Sequence, residues 1–244
     1  MSINVKKRNG RGTESLQLEK MHKMVEQACE GLAGVSASQV EINSGIQFYD
    51  GITTAEIQEI LIRSASDLID LDHVNYQFVA ARLLLFGVRK SLYGRTRELP
   101  SLLDQVKSGV EAGVYDAELL TLYSEEEYVK LESFIDHERD YLFTYAGLRQ
   151  VVDKYLVQDR STGALYETPQ FMYLLIAASI FSKYPIETRL DYVRRYYDAI
   201  SRHRINIPTP IMAGVRTPIR QFASCVLVDI DDTLDSIFSS DMAI

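Results

Sequence analysis

The apolar positions change period along the chain, and that change divides it into regions. At the start they alternate: Ile3 and Val5 precede a basic run, Lys6-Lys7-Arg8, and Leu16 and Leu18 follow it. Alternation on both sides of Asn9-Gly10 predicts a β-hairpin over 3–18, its turn lengthened by Arg11-Gly12. From Leu18 the spacing becomes helical. Met21, Val25, Cys29 and Leu32 make one stripe, and Ile57, Ile60, Leu61, Ala65, Leu68 and Ile69 make another. Ser36-Ala37-Ser38-Gln39 and Thr53-Thr54-Ala55-Glu56 each set a hydroxyl three residues ahead of Gln or Glu. That is capping-box spacing, and it predicts two helix starts. Another helix is expected over 74–93, packing Phe78, Ala81, Leu85 and Val88, before Gly94 and Pro100 punctuate a boundary. The first unit therefore reads as a small sheet followed by four helices.

Residues 101–200 read as mostly helical. Ser124 caps a helix through Glu127, and Pro169 sits at the start of an apolar helix over 170–183. Between them, Tyr155-Leu156-Val157 and Ala164-Leu165-Tyr166 flank a turn with Ser161 and Gly163, a second expected hairpin. Pro208, Pro210, Gly214 and Pro218 then predict an irregular loop, and Cys225–Val228 a short buried strand.

Composition narrows the function. Hydrophobic residues make up 46% and charged residues 25%, ordinary values for a globular protein. The net charge of -8 argues against a nucleic-acid polymer as partner, while a single nucleotide needs only a local group of cations. The apolar run Phe171–Phe181 is too short to span a bilayer, and Met1–Gly12 has no apolar signal segment. A cytoplasmic protein with no membrane partner is expected. Cys29 and Cys225 lie far apart and no Cys or His spacing suits a metal, so neither a structural disulfide nor a metal site is expected.

Two groups of residues have chemical potential. Lys6, Lys7 and Arg8, with Lys20 and Arg89-Lys90, place cations on separate elements. Such cations either converge on a triphosphate or form a solvated basic face, and spacing alone leaves both readings open. The second group is Pro208-Thr209-Pro210, Gly214-Val215-Arg216-Thr217-Pro218, Arg220-Gln221-Phe222 and Ser224-Cys225. It delivers one thiol at the start of a strand, where a lone cysteine is otherwise a small buried hydrophobe.

The string Val5-Lys6-Lys7-Arg8-Asn9-Gly10, with Glu14, Leu18 and Lys20, resembles the opening of an ATP-cone, a regulatory nucleotide-binding module. Gln47-Phe48-Tyr49-Asp50-Gly51-Ile52-Thr53-Thr54, Tyr76-Gln77, Ala80–Leu83 and Arg89-Lys90 continue the pattern. The Pro208–Cys225 string is similar to the first active-site segment of the reductase large subunit, so the chain resembles the N-terminal part of a class I ribonucleoside-diphosphate reductase large (alpha) subunit. The fold so implied is mainly α: an ATP-cone over 1–94, a helical domain over 95–220, and over 221–244 the first strand of a ten-stranded α/β barrel.

The resemblance also implies roles. Val5, Lys7, Arg8, Glu14, Gln17, Lys20, Thr54, Gln58 and Lys90 are expected to hold ATP or dATP as effector. Gln58 stands where enzymes under strong dATP control often carry a histidine. Thr209, Ser224 and Cys225 are expected to bind substrate, Cys225 also serving as one of a redox-active pair, and Asp232 to contact a specificity effector. No cofactor is expected to be covalently bound. The radical is expected from a di-iron or related small (beta) subunit, electrons from thioredoxin or glutaredoxin, and the remaining catalytic groups from a second chain carrying the rest of the large subunit. Without them, the chain is expected to be inactive.

Two alternatives differ in class. One is a stand-alone ATP-cone regulator, which has no use for Thr209, Ser224 and Cys225. The other is a haloacid-dehalogenase-type phosphatase, because Val226–Leu234 also sets Asp229 and Asp231 after a hydrophobic run. Only eleven residues follow Thr233, too few for that fold's downstream lysine and acids.

Overall fold

The computed structural model describes residues 3–7, 12–45, 47–223, 225 and 227–243. The Asn9-Gly10 turn, Arg8, Ser224 and Val226 lie outside the described residues. Two strands, β1 (Asn4–Lys6) and β2 (Thr13–Ser15), pair antiparallel with Asn4 opposite Ser15, Val5 opposite Glu14 and Lys6 opposite Thr13. Four helices follow: α1 (Leu18–Cys29), α2 (Ala37–Gly45), α3 (Thr54–Ser66) and α4 (Tyr76–Tyr93). This is the expected small sheet and four helices. The expected capping box at Thr53 forms in full, with Thr53 Oγ1 accepting from the Glu56 amide at 3.1 Å and Glu56 Oε2 accepting from the Thr53 amide at 2.8 Å. Gly94 ends α4 in the left-handed conformation (φ 70°), where a side chain is disfavoured.

Further on come α5 (Leu102–Glu111), α6 (Leu119–Leu122), α7 (Glu125–Glu132), a 3-10 turn at His137–Leu142, α8 (Tyr145–Lys154), α9 (Pro169–Phe181) and α10 (Ile186–Ser201). Ser124 makes its capping box with Glu127 as its spacing predicts. Helix α9 is buried on every side from Pro169 to Ala178, which explains an apolar run with no polar face. The second hairpin is reduced to one bridge, Gln158 with Leu165, closed by Tyr166 N to Val157 O at 2.9 Å and Asp159 N to Ala164 O at 2.9 Å. One continuous apolar core runs through the molecule, with α4 packed on α1 and α3 on one side and on α8 on the other.

Two C-terminal expectations need correction or restatement. The Pro-rich segment is not wholly irregular: Thr209–Gly214 forms helix α11. Pro210 is tolerated there because the first-turn amides it lacks have no helical partner anyway. The described residues of the expected barrel strand form no ladder. Residues 227–230 pair with no neighbouring strand, and Leu227 is 98% exposed. A strand needs a hydrogen-bonding neighbour, and none stands beside it among the described residues. A final helix, α12, spans Leu234–Ala243.

Candidate functional site

The clearest site lies where the hairpin meets the helices. Two main-chain bonds and one to a side chain tie β1 to the segment before α3: Gly51 N to Asn4 O at 2.8 Å, Lys6 N to Ile52 O at 2.9 Å, and the Asn4 amide to Asp50 Oδ1 at 2.7 Å. Gly51 takes a φ of 85° to make this approach. As a result Val5, only 3% exposed, sits beside the first turn of α3. Helix α1 closes the second wall and the C-terminal end of α4 the third.

Between them is a cavity of about 170 Å³ lined by Val5, Glu14, Gln17, Lys20, Thr54, Gln58 and Lys90, together with Ser15, Leu16, Met21, Met24 and Ile57. Seven of the residues singled out in the sequence thus meet in one place. Lys7 stands at the edge, its Nζ 3.1 Å from Glu14 Oε2. The hydrogen bond from Lys7 holds the Glu14 carboxyl below its ordinary range, with Lys20 and Lys90 adding to the effect. Two flexible cations, Lys20 and Lys90, therefore border an apolar floor of Met21, Met24 and Ile57. That combination suits a planar base and an anionic tail.

Gln58 is nearly buried and donates from Nε2 to Leu83 O at 2.8 Å, bracing α3 against α4. A Cβ on Gly87 would come within 3.2 Å of the Gln58 side chain, so a glycine permits this closeness. The Glu56 carboxylate takes up the α3 cap, accepting from the Thr53 amide and hydroxyl at 2.8 and 2.7 Å and from Tyr49 OH at 2.8 Å. These bonds, the Thr53 amide's first, lower its pKa.

Not every cation converges. Arg89, adjacent to Lys90, turns the other way and is only 3% exposed. It pairs with Asp140 at 2.8 Å and donates to His137 O at 3.0 Å. Lys90 lines the cavity while Arg89 is committed to this buried pair, so adjacency in sequence does not bring both cations to one site. The wall residues Ser15, Met21, Met24 and Ile57 were not foreseen as site residues; Met21 and Ile57 were read only as core positions on their helical stripes.

The expected substrate residues are placed separately. Thr209 opens α11, exposed, with its hydroxyl 3.3 Å from Tyr155 OH. Cys225 is exposed and outside any disulfide, whereas burial pushes the Cys29 thiol up to about 11. Asp232 lies exposed in the bend before α12, where Thr233 N donates to Asp231 O at 2.8 Å. A larger cavity of about 530 Å³ adjoins α11, lined in part by Phe143, Tyr155, Tyr173, His203 and Met212. Among the described residues, no group of three or more His, Cys, Asp or Glu side chains is arranged to hold a metal, and no helix is long and apolar enough to cross a membrane.

A hairpin clasped to four helices around a cationic cavity defines the first class. The family model for the ATP cone domain matches residues 3–91. A second, described as the ribonucleotide reductase all-alpha domain, matches residues 141–220. The chain belongs to the ribonucleotide reductase alpha-subunit family and corresponds to the N-terminal part of those subunits. It is 54% identical over 240 residues to ribonucleoside-diphosphate reductase 1 subunit alpha of Escherichia coli (strain K12), covering 98% of this chain and 31% of that protein. Against the ribonucleoside-diphosphate reductase subunit alpha of Haemophilus influenzae the identity is 54% over 243 residues, 100% of this chain and 32% of that protein. The corresponding subunit of Enterobacteria phage T4 is 46% identical over 237 residues, 96% of this chain and 31% of that protein. The chain thus spans about a third of the length of the relatives it matches.

Proposed function

We propose that this chain contributes the allosteric ATP site and one redox-active cysteine to the reduction of ribonucleoside diphosphates to deoxyribonucleotides. The observation that carries the regulatory half is the cavity shared by Val5, Glu14, Gln17, Lys20, Thr54, Gln58 and Lys90. Lys7, Lys20 and Lys90, with Arg8, hold the phosphates of ATP or dATP, and the apolar floor takes the base. Residues 1–94 act as the ATP cone, 95–220 as the helical domain, and 221–244 lead into the catalytic barrel. Because Gln58 is neutral at all pH values and committed to Leu83, ATP binding is expected without strong dATP inhibition.

The catalytic half rests on family membership and on the position of Cys225. In this reading a thiyl radical elsewhere removes the 3'-hydrogen of the substrate. The Cys225 thiol and a second thiol then supply two electrons and two protons as the 2'-hydroxyl leaves as water, the two sulfurs join as a disulfide, and the abstracted hydrogen returns to C3', restoring the thiyl radical. Exposure of Cys225 suits a thiol that must meet another sulfur. Thr209 and Ser224 hold the substrate, and Asp232 contacts a specificity effector. Turnover requires the length present in the relatives and not in this sequence, a radical-bearing beta subunit, and thioredoxin or glutaredoxin; the setting is cytoplasmic. The test is reconstitution with those parts. Reduction of a ribonucleoside diphosphate that vanishes in Cys225→Ser supports the reading, and undiminished turnover in that variant refutes it.

A further inference from the structure

The most deeply buried charge pair among the described residues lies outside the nucleotide cavity. Arg216 and Glu167 are both fully excluded from solvent and 49 residues apart. Arg216 Nε donates to Glu167 Oε2 at 2.9 Å, and its Nη2 also reaches that carboxylate. The remaining donors do something else. Nη1 takes Met212 O, the last full turn of α11, and Nη2 takes Tyr155 O at 2.9 Å. Tyr155 in turn places its own hydroxyl 3.3 Å from Thr209 Oγ1. One guanidinium therefore brackets Thr209 from both sides, through the helix that carries it and through the side chain that touches it. Glu167 is itself fixed by the Val157 amide and by Tyr115 OH, each at 2.8 Å.

We propose that Arg216, held by Glu167, is a positioning residue that sets the orientation of α11 and so of Thr209 toward the substrate diphosphate. This rests on the reading of Thr209 given above. A buried ion pair is a poor source of stability, since apolar replacement of both partners is often neutral, whereas loss of one leaves an uncompensated charge. What the pair supplies here is geometry: a planar five-donor fork can hold a carboxylate and two carbonyls at once, and a lysine cannot.

The test separates position from folding. Glu167→Gln alone is expected to lower the melting temperature. The double variant Glu167→Gln/Arg216→Met is expected to regain it to within about 4 °C, because no charge is left buried. Hydrogen exchange on the chain itself then decides the matter. In the double variant, amides of residues 211–215 are expected to exchange at least about tenfold faster while those of α3 are unchanged. In the reconstituted enzyme the same variant raises KM for the diphosphate substrate more than it lowers kcat, with Arg216→Lys intermediate. Unchanged exchange in α11 at recovered stability overturns the proposal, as does a kcat loss with KM unmoved. An inactive unmodified assembly refutes the catalytic reading instead, and the exchange result still stands on its own.

Discussion

Replacing Lys90 by glutamine removes one exposed cation from the lining of the nucleotide cavity. The buried bond to Asp140 is made by its neighbour Arg89, so that pair survives the substitution. A charge-assisted hydrogen bond contributes about 1.5–3 kcal/mol, and the lower end applies to a group that water reaches. At about 1.4 kcal/mol per tenfold change, the dissociation constant for ATP should rise about tenfold. Lys20 sits on a different wall, so Lys20→Gln/Lys90→Gln should approach about a hundredfold if the effects add. Raising the salt concentration should weaken binding to the unmodified chain more than to the double variant, because fewer charges remain to be screened. Isothermal calorimetry at fixed salt, with matched melting temperatures, reads all of these. Lys107→Gln, an exposed lysine on α5 away from the cavity, is the control. Affinity within twofold of the unmodified chain for both Lys90→Gln and the double variant, or an equal loss for Lys107→Gln, refutes the cavity as the phosphate site.

Three further predictions concern the scaffold. Thr53→Ala removes the reciprocal cap of α3 and should cost about 1–2 kcal/mol, a fall of roughly 2–8 °C in a melting curve; no change means the cap bonds add nothing to stability. Burial, reinforced by Arg89, pushes His137 from 6.5 down to about 4, so the unfolded chain takes up its proton first as the pH falls. Stability should therefore be present above pH 6.5 and lost toward pH 4, and His137→Phe, whose ring position already packs edge-on against Phe171, should flatten that stretch of the curve. An identical slope in the variant rules His137 out as the cause. A Cβ at Gly109 would fall 2.2 Å from the buried Tyr115 ring, so Gly109→Ala should destabilise by about 1–3 kcal/mol, and a neutral result in chemical denaturation would show that the ring can yield.

What the sequence made legible was mostly local. The capping boxes at Thr53 and Ser124 were readable because donor and acceptor lie three residues apart. The apolar stripes of α1 and α3 were readable because burial follows the helical period. The cation set was legible only in part: proximity in sequence grouped Arg89 with Lys90, and the helix sends them to opposite sides. The methionine wall had no signal apart from core packing. Glu167 and Arg216 were illegible as a pair, since nothing near either residue marks a partner 49 positions away. Helix α11 was hidden by prolines that its first turn accommodates. The apolar run behind the strand expected over Cys225–Val228 is a property of one segment, whereas a ladder is a property of two.

Photolabelling with an azido derivative of ATP, followed by peptide mapping, tests the central claim most directly. The account predicts label on the segments that wall the cavity, residues 14–24 and 54–58, competed away by ATP. Label confined to the cavity beside α11, or labelling of the wall segments that ATP does not diminish, contradicts it.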